Sequence, residues 1–76
     1  MSLEDQIKHT LDDFENISHE KILEILNQII PQFKSKLISE YLQGKIQKIL
    51  DLDDDVEKKR QCKALTPYLN WYLQGL

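Results

Sequence analysis

Cysteine, proline and glycine are all scarce in this 76-residue chain, at one, two and two residues. A lone Cys62 rules out an internal disulfide and fits a reducing compartment. With only two His beside it, a structural zinc site, which usually needs four ligands, is not expected. So few Gly and Pro do not suit a small β-sandwich, which turns every ~8–12 residues. No apolar run approaches the ~18–20 residues of a membrane span. Residues 1–20 carry six acids and no apolar stretch, so they do not read as a secretory signal. The expected location is cytoplasmic, and the match of Asn16-Ile17-Ser18 to the N-glycosylation pattern is then a coincidence. Internal repeats, low-complexity segments, glycine-rich phosphate loops, paired CxxC motifs and nucleophile elbows are absent from the sequence.

What the chain has is Leu and Ile, 21 residues together, against one Val and one Ala. They recur with helical spacing, so a single all-α domain over residues 1–76 is expected. A chain this short buries only roughly 60–65% of its unfolded surface. Small scaffolds often gain stability from disulfides, metals or association. With the first two set aside, oligomerisation or a protein partner is the expected supplement.

The net charge of -3 argues against a dedicated nucleic-acid binder, which is normally basic. The charge is uneven, however. Residues 1–20 hold six acids against Lys8, and residues 21–50 hold five Lys against Glu24 and Glu40. Such asymmetry can steer head-to-tail contacts or a charged partner.

Along the chain, Ser2 is a helix cap with Asp5 three residues on, a near-match to the capping box. Leu3, Ile7, Leu11 and Phe14 follow as one narrow stripe. Ser18 is the next N-cap, with Ile17 placed to staple onto Ile22. Ile22, Leu23, Ile25, Leu26, Ile29 and Ile30 then fall within roughly 160° of arc at about 100° per residue, which marks the centre of the core. Pro31 either kinks this helix or opens a new one, and a new helix from about Pro31 is expected because Ile30 precedes proline. Phe33, Leu37, Ile38, Tyr41 and Leu42 continue the period. Beyond Gly44, the residues Ile46, Ile49 and Leu50 centre about 140° away. Three readings follow: the helix ends at Gly44, bends there, or runs straight with one side on the core and the other on a second subunit. Asp51-Leu52-Asp53-Asp54-Asp55 opens a polar helix over about residues 54–65, with Lys58, Lys59, Arg60 and Lys63 toward its other end. Thr66 caps a last helix with Pro67 at its first position. Gly75 suits its left-handed end, and Leu76 could then fold back on Trp71.

Candidate chemistry is thin. An EF-hand loop from Asp51 needs Gly at its sixth position and Glu at its twelfth, where this chain has Val56 and Cys62. Helix capping accounts for the Asp cluster. His9 and His19 lie near Asp12, Asp13 and Glu20, but on different helices, as exposed His beside acids often does. Cys62 has basic neighbours that could lower its pKa and no His placed beside it, so a half-buried structural thiol is expected. Lys34, Lys36, Lys45 and Lys48 with Tyr41 could form a basic, aromatic-flanked patch for single-stranded nucleic acid, or simply a solvated helix face.

The last segment holds the only Trp and two of the three Tyr. Tyr68, Trp71 and Tyr72 can fill the core or form an interface. A membrane-surface helix would favour basic residues on its polar face, and this segment has none.

The expectation is therefore a compact bundle of four to five short helices with short loops. Functionally, the expectation is a small non-enzymatic protein-protein interaction module, an adaptor, inhibitor or regulatory subunit, self-associating as a dimer. Tyr68, Trp71, Tyr72, Ile46 and Ile49 are its candidate partner-binding residues. Neither cofactor nor metal is expected, and neither nucleic acid nor membrane is the expected partner. The rivals are a nucleic-acid-associated regulator using the central Lys residues and a small-ligand or lipid-binding bundle with an apolar interior.

Overall fold

Short polar side chains set four of the five helix starts. In the computed structural model, which describes residues 2–75, Ser2 Oγ accepts from the Asp5 N–H at 3.2 Å and opens α1, Leu3–Asp12. Ser18 Oγ accepts from the Lys21 N–H at 3.2 Å and opens α2, His19–Ile29. Ser35 Oγ accepts from the Ile38 N–H at 3.3 Å and opens α3, Lys36–Leu50. The Asp54 carboxylate accepts from the Val56 N–H at 3.0 Å and opens α4, Asp55–Lys63. Each bond satisfies one amide that the first helical turn leaves without a partner. The fifth helix, α5, spans Thr66–Leu73. Two 3-10 turns, Phe14–Asn16 and Ile30–Gln32, complete the order. The described residues form no strand, and the fold is an all-α bundle of short helices joined by short loops.

The core is almost wholly aliphatic and centres on α2. Ile22, Ile25, Leu26 and Ile29 are fully buried, with Leu23 and Ile30 nearly so. α2 packs on α1, on α4 and on the turn that follows it, while α5 rests on α1. From the other elements come Ile7, Leu42, Ile46, Ile49, Cys62, Leu65 and Leu69. Ile17 is half-buried against this cluster. Leu3, Leu11 and Phe14 pack at its edge, and Phe14 belongs to the 3-10 turn rather than to α1.

Four expectations are corrected. First, the helix after Pro31 begins at Lys36. Pro31 sits within the 3-10 turn, Ile30 keeps a helical backbone before it, and Phe33 is extended at φ -72, ψ 133. The turn is pinned because the Ser39 hydroxyl donates to the Ile30 carbonyl at 3.1 Å. Second, of the three readings at Gly44 the helix end is set aside, because α3 runs unbroken through it. Third, Ile46 and Ile49 face inward at 4% and 3% exposure, so neither offers a surface to a partner. Fourth, Thr66 is not the cap of α5. Ala64 and Leu65 keep helical backbone angles, so the chain passes from α4 to α5 without the extended residue that a side-chain cap requires. The Thr66 hydroxyl instead donates to the Lys63 carbonyl at 2.8 Å, where α4 ends. Gly75 takes φ +93, the left-handed region that favours glycine. The expected contact of Leu76 with Trp71 lies outside the described residues.

Candidate functional site: an aromatic face on α3 and α5

On α3, the residues Ile38, Leu42, Ile46 and Ile49 follow one helical stripe into the core. One residue round from that stripe, about 100° away, lies a second: Leu37, Tyr41, Gly44 and Lys48. Leu37 is 79% exposed and Tyr41 50%. The helix therefore does carry two apolar sides. The outward stripe lies before Gly44; after it, Ile46 and Ile49 turn inward and Leu50 alone is outward, at 52% exposure.

α5 meets this stripe with its rings. Its aliphatic side, Leu65, Leu69 and Leu73, turns inward, and Leu69 is fully buried. Trp71 lies well round from Leu69 and is 45% exposed. Phe33, on the extended link before α3, is buried beneath the α5 rings. It lies 6.1 Å from Trp71 and 6.4 Å from Tyr68, edge-on to both. Tyr68 lies 6.3 Å from Tyr41 and 6.1 Å from Trp71. These separations suit attractive edge and tilted ring pairs. The four rings form one continuous cluster whose outer edge is Tyr41, Trp71 and the neighbouring Leu37 of the α3 stripe.

An apolar notch of about 150 Å³ opens between Phe33, Lys34, Ser35, Ile38 and Trp71. Lysines rim this surface. Lys34 lines the notch, the Lys45 ammonium sits 5.7 Å above the Tyr41 ring, and Lys48 shares the Leu37–Tyr41 stripe. Among the described residues, none of Lys34, Lys36, Lys45 and Lys48 pairs with a carboxylate; the ion pairs are Lys21–Glu24 and Arg60–Glu57.

Of the residues singled out from the sequence, Tyr68 and Trp71 come together here. Tyr72 does not join them. It is half-buried at the core edge, and its hydroxyl donates to Gln32 Oε1 at 3.1 Å, tying α5 to the 3-10 turn. Sequence reasoning counted Phe33 and Leu37 in the apolar period of the helix and in no site, and it gave Tyr41 a site role only beside the lysines. The signal was Ser35. Taken as a cap, it removes Phe33 from the helix, and Leu37 and Tyr41 then separate from Ile38 and Leu42.

The remaining candidates sit elsewhere. His9 is exposed on α1. His19 lines a groove with Glu20, Glu24, Asp55 and Lys58. No three His, Cys, Asp or Glu side chains among the described residues come together as metal ligands do. The Cys62 thiol is fully buried, which pushes its pKa up to about 11 against the opposing pull of the Lys59 charge. A thiol so held stays protonated and is a poor nucleophile. Lys59 itself reaches across from α4. Its ammonium donates to the Ile17 carbonyl, lies 3.5 Å from the Glu15 carbonyl and sits 4.7 Å above the Phe14 ring. That contact fixes the first 3-10 turn against α4. Among the described residues, no helix is long and apolar enough to cross a membrane. Comparison of the chain with known protein families, curated proteins and solved structures gives no match.

Proposed function

We propose that this chain is a small non-enzymatic interaction module that docks a protein partner on the aromatic face of α3 and α5. One observation carries the reading. Leu37, Tyr41 and Trp71, three large apolar side chains, are 45–79% exposed on neighbouring elements, over a cluster of rings whose centroids lie 6.1–6.4 Å apart. Scattered exposed apolar residues need no explanation, but a contiguous patch with a polar rim marks an interaction site. Rigid aromatics are favoured there because they cover much area at little entropy cost. An adaptor, an inhibitor or a regulatory subunit would each use such a face.

The rival readings fit less well. Single-stranded nucleic acid stacks its bases on open ring faces, whereas these rings stand edge-on or tilted to one another and Lys45 covers Tyr41. Sites for small ligands usually enclose ~300–1,000 Å³, and the 150 Å³ notch is too small. Larger hollows, such as the groove of about 480 Å³ beside His19 and Asp55, are open and edged with charged side chains. A dimer paired two-fold through this face would bring the lysines of both copies together, which opposes it.

The test is affinity capture from the producing cells, followed by reconstitution from purified components. Binding of the captured protein should fall at least about tenfold with Leu37→Glu and with Trp71→Ala, with helix content unchanged by circular dichroism. A partner that binds the parent and both variants equally would place the docking surface elsewhere.

A further inference from the structure

The shape and charge of the aromatic face restrict what can occupy it. The notch holds about 150 Å³, a volume that in a protein interior accepts one benzene-sized group. Its walls are mainly the rings of Phe33 and Trp71 and the aliphatic Ile38, so the group it takes is apolar. Around it the charge is one-sided. Residues 30–50 hold four Lys against Glu40, and α5 has no charged residue. This segment therefore carries a net +3 within a chain of -3, and among the described residues its lysines are not paired with carboxylates. Unpaired rim charges steer and select an oppositely charged partner.

We infer that the face recognises an acidic protein segment: one Leu, Ile or Phe side chain enters the notch while neighbouring Asp or Glu carboxylates meet Lys34, Lys45 and Lys48. This rests on the docking function proposed above and names the chemistry of its partner. A second copy of the chain offers a partial mimic, since Val56 is 77% exposed between Asp55 and Glu57. That tip is a weaker ligand. The Glu57 carboxylate is already held by Arg60 at 2.7 Å and Gln61 at 3.0 Å, and the Asp54 carboxylate caps its own helix.

The experiment is selection of a random-peptide display library on the immobilised full chain, with recovered peptides re-measured in solution at low and high salt. Recovered peptides should be acidic around a single large apolar residue and should weaken as salt rises. They should also bind at least about tenfold less tightly to Lys34→Glu and to Trp71→Ala. Lys34 is exposed, so its variant separates charge from folding. Neutral or basic peptides that still depend on Trp71 would overturn the acidic specificity and leave the docking function standing. If no peptide depends on Trp71 or Leu37, or if single-stranded DNA or phosphatidylserine vesicles bind this face and peptides do not, both readings fall. Sedimentation of the chain alone completes the test. Self-association abolished by either Val56→Lys or Trp71→Ala would make a second copy the occupant and overturn the inference of a separate partner.

Discussion

Truncating α5 at two neighbouring positions should give costs in the reverse order of side-chain size. Leu69 is fully enclosed and Trp71 is 45% exposed. Leu69→Ala removes a small side chain but leaves a sealed cavity, which costs about 2–5 kcal/mol. An enclosed Trp buries roughly 150–250 Å². At its observed exposure about 80–140 Å² of that is covered, worth about 2–3.5 kcal/mol at ~25 cal/mol per Å². That is an upper bound, because the unfolded chain already hides part of this area and the open site leaves no sealed void. Trp71→Ala should therefore cost about 1–3 kcal/mol, and Leu69→Ala about 3–4 kcal/mol. In a domain of this size each kcal/mol shifts Tm by about 4–8 °C, so thermal and urea unfolding followed by far-UV circular dichroism resolve the difference. If Trp71→Ala proves the more damaging change, the ring is the anchor of α5 and its role as an outward-facing contact is refuted.

Three further outcomes follow from the same geometry. Leu26→Ala, at a fully buried site on α2, should cost about 2–5 kcal/mol in urea unfolding; a loss under ~1 kcal/mol would move the core centre away from α2. Gly44→Ala should stabilise the chain by about 0.5–1 kcal/mol, because Gly44 lies inside α3 with nothing within 4 Å of an added Cβ; destabilisation would mean α3 is not regular there. Burial raises the Cys62 thiol from 9.0 to about 11, so the folded state favours the protonated form. Stability is then fully present below pH 9 and declines as pH rises toward 11, by about 2–3 kcal/mol in all. Cys62→Ala should remove that decline, and a slope identical to the parent's would show that the thiol does not cause it.

Local signals were legible in the sequence where one residue decides the outcome. Ser2, Ser18 and Asp54 cap the helices they announce, because a side-chain oxygen at that position satisfies an amide whatever the rest of the chain does. The α2 stripe marked the core centre because five or more aliphatic residues on one arc have one way to bury themselves. Misreadings arose where two signals competed. Pro31 suggested a helix start, but the Phe33 N–H bond to the Ile30 carbonyl closes a 3-10 turn there, the Ser39 hydroxyl pins it, and Ser35 is left to cap α3. Counting Phe33, Leu37 and Tyr41 together with Ile38 and Leu42 pulled the apparent apolar direction outward and made Ile46 and Ile49 look like the odd side. Thr66 had the right chemistry for a cap, yet the direct passage from α4 to α5 leaves it in helical backbone.

The candidate site was only partly legible for a related reason. It assembles from an extended link, one stripe of α3 and the outer side of α5. Their adjacency comes from tertiary packing and from no local pattern. Tyr68 and Trp71 stood out by residue type alone. Leu37 and Tyr41 did not, because a periodic apolar residue reads as core until its register is known.

The most direct test of the central claim is a photo-crosslinking residue placed at position 37, compared with the same residue at position 8 on α1, in the cells that make the protein. Both positions are exposed, so folding is unaffected by either. Docking through the aromatic face predicts a discrete protein adduct from position 37, absent from position 8 and lost when Trp71→Ala is added. Adducts of equal yield from both positions, or from position 8 alone, would contradict it.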